Sequence, residues 1–158
     1  MSGQDNNLSW DQYYLNMLPS VAARSKCHRR KLGAIITVDN HIIGMGYNGP
    51  PPGYPHCNPC VKEAMNIPSG EGLDVCPATH AEQNAIAFCA QHGISTRNAT
   101  MYIGATPCTV CAGMIIGAGI TKVVVSSVYP DKMGLKKLKE CGVSLILDST
   151  PLYKTIKR

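Results

Sequence analysis

Two short segments decide the fold: His80-Ala81-Glu82, and Pro107-Cys108-Thr109-Val110-Cys111 about 25 residues later. Zinc prefers histidine nitrogen and cysteine sulfur, and a catalytic zinc has three protein ligands and one open position. His80, Cys108 and Cys111 supply such a set. Two cysteines three residues apart also share one face of a helix. The spacing therefore predicts one zinc site held by His80, Cys108 and Cys111.

Each segment is expected to begin a helix. Thr79 to Glu82 has the T-x-x-E form of a capping box, and the helix that it opens should stop at Gly93. Thr106-Pro107 predicts the start of a second helix, because proline fits the first helical turn. A helix N-terminus carries partial positive charge, which favours the thiolates that zinc needs. We therefore expect two helix N-termini to meet over one metal.

Glu82 is predicted to be the catalytic residue, because it lies two residues from His80 and is not needed as a ligand. Zinc lowers the pKa of bound water to about 7, and a nearby carboxylate can pass a proton from that water to a leaving group. Such a pair can replace a ring amino group and release ammonia. Two alternatives remain: Glu82 as a capping carboxylate only, and the two cysteines as a structural zinc or redox pair. The joint spacing favours the catalytic zinc.

Composition places the chain among single-domain globular proteins. A length of 158 residues suits one domain with a sizeable core, so a single domain is expected over residues 1–158. No stretch resembles a signal peptide or a membrane span. The chain has eight cysteines but is long enough to fold without disulfides, so we expect a cytoplasmic protein. The net charge of +5 suits a phosphorylated substrate or a nucleic acid without choosing between them.

Helices and strands alternate along the chain. Ser9 to Gln12 predicts a capped helix that reaches about Ala23, although Pro19 should kink it or end it early. The other expected elements are a hairpin of Leu32–Val38 and His41–Tyr47, strands at Thr100–Gly104, Lys122–Ser127 and Val143–Leu147, and helices from Cys108 to Ala118 and from Leu135 to Cys141. Strand–helix alternation favours helices on both faces of a sheet. The predicted fold class is α/β, a three-layer α-β-α sandwich with a mixed central sheet.

Two regions before the zinc segments carry candidate binding residues. The basic run Lys26 to Lys31 is either a solvated turn or a phosphate contact, and its candidates are Lys26, Arg29 and Arg30. A Gly/Pro-rich loop follows the hairpin and cannot continue a strand. It brings Asn48 toward the zinc segments, so Asn48 either faces the substrate or merely makes the turn with Gly49.

The irregular segment from Pro55 to Pro77 is a third candidate region. An irregular stretch of this length within a domain is usually functional or held by some constraint. Cys57-x-x-Cys60 has the spacing of metal ligands, and Cys76 and Cys27 could complete a second, structural zinc site with four cysteines. The alternative is that these four side chains are free thiols.

Taken together, these residues resemble a known family. A His-x-Glu followed by Pro-Cys-x-x-Cys is the signature of zinc-dependent deaminases. From about Ser25 to Tyr129 the chain resembles the cytidine deaminase-like superfamily and, within it, the deoxycytidylate (dCMP) deaminase family. The resemblance is carried by Leu32–Ile36, Gly46–Gly49, the His56-Cys57 region, His80–Ile86 and Pro107–Ile120.

The resemblance implies hydrolytic deamination of dCMP to dUMP, with release of ammonia, to supply thymidylate synthesis. It implies Zn²⁺ at the three ligands named above, Glu82 as the proton shuttle, Asn48 in contact with the nucleotide and Tyr129 packed near the base. It also implies homo-oligomers, often hexamers, activated by dCTP and inhibited by dTTP with a divalent ion such as Mg²⁺. Nucleic acid and membrane partners are not expected.

The resemblance directs the search for effector or substrate phosphates to Gly49 and to the basic residues Lys26, Arg29 and Arg30. Some members of the family carry a second zinc in the cysteine-containing insertion. Here the residues that could hold it are Cys27, Cys57, Cys60 and Cys76.

Other deaminases share the metal motif. A tRNA adenosine deaminase would have a shorter link before the zinc histidine and a more basic C-terminal helix, whereas about thirty residues separate Asn48 from His80 here. A free cytidine deaminase needs no phosphate site, and a riboflavin-pathway deaminase usually spaces its cysteines more widely. A non-catalytic zinc-binding module would have no use for Glu82.

Overall fold

The computed structural model describes residues 7–150, so the expectation of one domain over residues 1–158 extends beyond the described residues at both ends. None of the described helices is long and apolar enough to cross a bilayer. In chain order the elements are α1 Trp10–Ala22, β1 Gly33–Val38, β2 His41–Tyr47, α2 Val61–Ala64, α3 Ala81–Gln91, β3 Thr100–Ile103, α4 Thr109–Gly117, β4 Lys122–Val125, α5 Lys132–Glu140 and β5 Ser144–Leu147. Of these, α2 was not expected from the sequence.

The five strands form one mixed sheet in the order β2-β1-β3-β4-β5. Strand β1 is antiparallel to both β2 and β3, whereas β3, β4 and β5 run parallel. Asp39 and Asn40 turn the hairpin between β1 and β2, with φ angles of 48° and 59°. Two such residues in a two-residue loop give a turn whose twist matches that of the strands.

Helices cover both faces of the sheet, as the three-layer prediction requires. On one face, α1 packs Leu15 and Leu18 against the sheet. On the other face, α3, α4 and α5 bury side chains that include Ala85, Ile115 and Leu138. Neighbouring residues of a strand point to opposite faces. The sheet contributes Ile35, Tyr102 and Val124 to the first face and Ile36, Met101, Ile103, Val123 and Val125 to the second.

Helix α1 ends at Ala22, close to the end at about Ala23 that the sequence predicts. Ser9 caps it as expected, since its hydroxyl accepts the N–H of Gln12 at 3.2 Å. However, the helix continues past Pro19 to Ala22, so the expectation of an early end was wrong. A proline inside a helix costs about 3 kcal/mol, whereas burying a leucine side chain gains about 1.5–3 kcal/mol. Leu15 and Leu18 are both buried against the sheet and together offset the proline.

Two glycines of β2 let α3 approach the sheet at backbone distance. A Cβ atom on Gly46 would overlap the Ala81 carbonyl oxygen and the Ala85 amide nitrogen. A Cβ atom on Gly44 would lie 2.5 Å from the Cys89 sulfur. Backbone atoms cannot yield as a flexible side chain can. The first turn of α3 is therefore held in place by contact with Gly46.

Replacing Gly46 with alanine should destabilise the protein by about 1–3 kcal/mol, because the added methyl group pushes α3 away from β2. Denaturant unfolding of the wild type and the variant measures the difference. Gly117→Ala is the matched control, since a Cβ atom there meets nothing within 4 Å. The control should change stability by less than about 1 kcal/mol. Equal stability of Gly46→Ala and the wild type would contradict the close-contact argument.

Candidate active site

His80 is the N-cap residue of α3, one position later than the sequence predicts. Its backbone N–H donates to Oε1 of Gln83 at 2.8 Å, so the capping pair is His80 and Gln83. The predicted capping box of Thr79 and Glu82 was wrong, because Thr79 exchanges two backbone hydrogen bonds with Gly49 at 2.9 and 3.1 Å. The Thr79 carbonyl accepts the Gly49 N–H and does not accept the first hydrogen bond of the helix. As a result, Glu82 is not needed for capping.

Cys108 is the N-cap residue of α4, and Cys111 lies in the first turn. Pro107 therefore precedes the cap instead of occupying the first turn, which corrects the prediction for this proline. The Cys108 carbonyl accepts the N–H of Ala112 at 2.8 Å and so begins the helix. The two cysteines still face His80. Since His80 is the N-cap residue of α3 and Cys108 that of α4, the two helix N-termini meet as expected.

The three predicted ligands converge. Nδ1 of His80 lies 3.5 Å from Sγ of Cys108 and 3.4 Å from Sγ of Cys111. A tetrahedral zinc with ordinary bond lengths would hold such nitrogen and sulfur atoms about 3.6 Å apart. Among residues 7–150, these three form the one group of three potential ligands whose atoms lie within 4.8 Å of one another. The donor set and its spacing fit zinc.

Hydrogen bonds among the ligands and burial shift the pKa values of the site. A hydrogen bond from Cys111 lowers the pKa of Cys108 to about 4, and the same interaction raises the pKa of Cys111. The hydrogen bond with Cys108 raises the pKa of His80. Ligation by both sulfurs requires release of the Cys111 proton, so zinc affinity should fall on acidification.

Glu82 lies next to this group and is 8% exposed. Burial raises the pKa of its carboxyl, since the charged form loses hydration. A raised pKa makes a carboxyl a better proton acceptor, which suits general acid–base catalysis. The structure therefore places a buried carboxyl beside the three predicted ligands.

The site opens into a cavity of about 440 Å³, which is within the usual range for small-molecule sites. His80, Glu82 and Cys108 line the cavity together with Asn48 and Tyr129. The Asn48 side chain accepts from the Leu32 N–H at 2.8 Å and donates to the Arg30 carbonyl at 2.7 Å. Asn48 thus fixes the backbone of Arg30 to Leu32 as well as forming part of the wall.

The predicted phosphate residues divide into two pairs. Arg29 and Arg30 line the cavity. Arg29 donates to the Ile67 carbonyl at 2.8 Å, and the Arg30 guanidinium lies 5.3 Å from the centre of the Tyr129 ring. Lys26 is exposed, and Gly49 is buried by its pairing with Thr79; neither belongs to the lining residues.

Lys62 is a lining residue that the sequence analysis did not predict. It lies in α2 and is 9% exposed, and its side chain makes no ion pair and no hydrogen bond with the described residues. No buried side-chain nitrogen or oxygen of the described residues lacks a partner, so the unpaired Lys62 ammonium is open to the cavity. No periodic pattern surrounds Lys62 in the sequence, so its burial could not be foreseen. It gives the cavity a third basic side chain.

The cysteines proposed for a second zinc do not converge in the structure. Cys27, Cys60 and Cys76 line the cavity and Cys57 does not, and none of the four forms a disulfide. Within the described range they form no group of three ligating atoms, nor do they join one with other His, Asp or Glu residues. The second zinc therefore stays a prediction.

Comparison with known proteins identifies the site. A family model described as the cytidine and deoxycytidylate deaminase zinc-binding region matches residues 8–127. The deoxycytidylate deaminase of Mycobacterium phage D29 is 36% identical over 120 residues, which are 73% of this chain and 92% of the phage protein. The deoxycytidylate deaminase of Saccharomyces cerevisiae is 33% identical over 138 residues, 87% of this chain but only 44% of the yeast protein.

A solved structure resembles the whole described fold. The dCMP deaminase of cyanophage S-TIM5, in complex with dCMP and dUMP, superposes with a TM-score of 0.72 at 28% identity. The match covers 87% of this chain and 95% of the cyanophage chain. The mixed five-stranded sheet with helices on both faces is thus the cytidine deaminase-like α/β fold predicted from the sequence.

We expect the purified protein to bind one zinc per chain and Cys108→Ala to lose it, because two ligands cannot hold the ion tightly. Metal analysis after dialysis gives the stoichiometry. Cys141→Ala, which removes an exposed thiol outside the site, should keep its zinc. A zinc-replete Cys108→Ala protein would contradict the ligand assignment. Two zinc ions per wild-type chain would establish the second site.

Proposed function

The chain belongs to the cytidine and deoxycytidylate deaminase family, and we propose that it converts dCMP to dUMP with release of ammonia. The observation that supports this function most directly is the convergence of His80, Cys108 and Cys111 beside the buried carboxyl of Glu82. The substrate assignment is supported by the phage and yeast relatives described above, which are deoxycytidylate deaminases.

The reaction replaces the amino group on the cytosine ring by the oxygen of a water molecule. A bound zinc supplies a Lewis acid that makes water nucleophilic at neutral pH. Glu82 takes one proton as the water oxygen bonds to the ring carbon, and returns it to the amino nitrogen. The second water proton moves from the oxygen to the adjacent ring nitrogen, which leaves the carbonyl of dUMP. The carbon–nitrogen bond then breaks, and ammonia leaves. The raised pKa of Glu82 suits both halves of this transfer.

The cavity wall offers contacts for each part of a nucleotide. We assign the ring of Tyr129 to the base and the wall around Asn48 to the nucleotide, as the family resemblance implies. Arg29, Arg30 and Lys62 are the basic side chains of the wall. Since the Lys62 side chain makes no hydrogen bond or ion pair with the described residues, it is the basic group most available to a phosphate. A phosphate in the cavity would accept charge-assisted hydrogen bonds from it.

Regulation, assembly and location form a further part of the proposal. We propose activation by dCTP, inhibition by dTTP with Mg²⁺, and a homohexamer or another homo-oligomer in the cytoplasm. The eight cysteines form no disulfides, which suits a reducing compartment. Lys26 and Gly49 lie outside the cavity lining and stay candidates for effector phosphates. The effector and oligomer proposals depend on the family resemblance rather than on contacts within this site.

Ultraviolet-monitored deamination of dCMP, deoxycytidine, cytidine and a tRNA anticodon stem tests the substrate. Each is assayed with and without dCTP and dTTP. Turnover of dCMP far above that of the nucleosides supports the proposal, and a response to the two triphosphates supports regulation. Turnover of the RNA alone would show a tRNA adenosine deaminase instead. A zinc-loaded protein that turns over none of them would be a non-catalytic zinc-binding module.

Glu82→Gln should keep its zinc and lose about 10²–10⁴-fold in kcat for dCMP, because glutamine cannot carry the proton. Steady-state kinetics and metal analysis on the same preparation separate the two effects. Glu71→Gln is the matched control, since this acid lines the same cavity but is exposed. It should retain most of its activity. Substantial turnover by Glu82→Gln would remove Glu82 from the proposed mechanism.

Lys62→Gln and Arg30→Gln should raise KM for dCMP by about tenfold or more, since a charge-assisted hydrogen bond to phosphate contributes about 1.5–3 kcal/mol. Both should leave kcat/KM for deoxycytidine nearly unchanged, because that nucleoside has no phosphate. Lys136→Gln is the control, because Lys136 lies on the exposed face of α5. Equal losses on both substrates would assign Lys62 and Arg30 to general stability of the site.

A further inference from the structure

We propose that Asp131 is a positioning residue that fixes the zinc-binding turn against the cavity wall that carries Tyr129. Oδ2 of Asp131 accepts the backbone N–H of Thr109 at 2.7 Å and its hydroxyl at 2.8 Å. Oδ1 accepts the N–H groups of Met133 and Gly134 at 2.9 and 3.1 Å. One carboxylate thus serves the N-termini of α4 and α5 at once. The inference depends on the zinc site of the proposed function but not on its substrate.

The bond to Thr109 has no role in capping α5. Asp131 is the N-cap residue of α5, and its bonds to Met133 and Gly134 alone would serve that purpose. Thr109 is the first residue of α4 and directly follows the ligand Cys108. The first N–H groups of a helix lack partners within the helix. Asp131 supplies that partner at the turn between Cys108 and Cys111.

The Cys108 side chain approaches His80, and the outside carboxylate of Asp131 is the acceptor of the Thr109 N–H. Burial raises the pKa of Asp131, but the hydrogen bonds from Gly134 and Thr109 outweigh it and leave the pKa below its ordinary value. The anionic form is the one that accepts these bonds and that two helix N-termini favour.

Further bonds join the same two loops along their length. The Thr106 hydroxyl accepts the Tyr129 N–H at 2.7 Å and donates to the Tyr129 carbonyl at 3.3 Å. The hydroxyls of Ser126 and Ser127 donate to the Gly104 carbonyl at 2.8 and 2.7 Å. The loop before α4 and the loop before α5 therefore form one connected unit. Asp131 links this unit to Thr109, the residue that directly follows Cys108.

The close packing of α5 leaves little freedom to compensate for a lost link. A Cβ atom on Gly134 would overlap the Pro107 carbonyl oxygen and lie 3.1 Å from the carbonyl carbon of Cys108. A shift of the first turn of α5 would therefore press on the ligand-bearing turn. We infer that Asp131 sets the position of Cys108 and Cys111 relative to Tyr129.

Asp131→Asn separates this role from simple helix capping. Asparagine is as good an N-cap residue as aspartate, so α5 keeps its cap. Its single carbonyl oxygen, however, cannot also accept the Thr109 N–H, because an NH₂ group would face it. We expect about 10–100-fold weaker zinc binding, the usual effect of losing a group that orients a ligand. Competition with a chromophoric chelator measures the affinity, and thermal unfolding of the metal-free protein measures stability.

Ser9→Ala is the matched control, because it removes an N-cap side chain from α1 on the opposite face of the sheet. It should lower the melting temperature without changing zinc affinity. Thr109→Ala keeps the N–H donor and loses only the hydroxyl, so it should weaken zinc binding less than Asp131→Asn does. If Asp131→Asn does not fold, Asp131→Ser, which can still cap α5, takes its place.

Wild-type zinc affinity in Asp131→Asn would overturn the proposal, whether or not the stability changes. Asp131 would then only cap α5. The zinc measurement decides the matter even if the protein does not deaminate dCMP, so failure of the proposed function and failure of this inference can be told apart.

Discussion

The structure depends on the meeting of two helix N-termini at one metal centre. The N-cap residues of α3 and α4 are His80 and Cys108, and both belong to the predicted ligand set. Neither is one of the oxygen-bearing residues that cap helices best, and a poor cap costs about 1 kcal/mol. Other side chains take over part of the capping: Gln83 accepts from the His80 N–H, and Asp131 accepts from the Thr109 N–H. The site therefore depends on hydrogen-bond acceptors, Gln83 and Asp131, that are not metal ligands.

The sheet places these partners within reach of one another. Strands β3 and β4 are parallel neighbours, so the loops that follow their carboxyl ends emerge side by side. The first loop leads to Cys108 and the second to Tyr129 and Asp131. The N-terminus of α3 lies at the same metal centre. Helix α3 packs closely against β2 there because Gly46 has no side chain. The metal centre, its proton carrier and the cavity wall thus come from segments far apart in sequence.

Sequence patterns predicted the parts that local spacing determines. The ligand set and the five strands follow from residue spacing and alternation. The mixed sheet is confirmed as well. Two of the failures involve distant contacts: the Thr79–Gly49 pairing moved the cap of α3, and burial against the sheet carried α1 past Pro19. Lys62 and the link from Asp131 to Thr109 were missed for the same reason, since only the folded chain brings their surroundings together.

The charges around the cavity favour a nucleotide over a nucleoside. Two thiolates balance the charge of a zinc ion, so the metal centre does not require the basic side chains of the wall. Asp131 is engaged by its hydrogen bonds, and neither Asp131 nor Glu82 forms an ion pair with Lys62. With a nucleoside in the cavity, the Lys62 ammonium would have only solvent as its partner. A 5′-phosphate would add a charge-assisted pair with it, which is the physical argument for the proposed selection of the monophosphate.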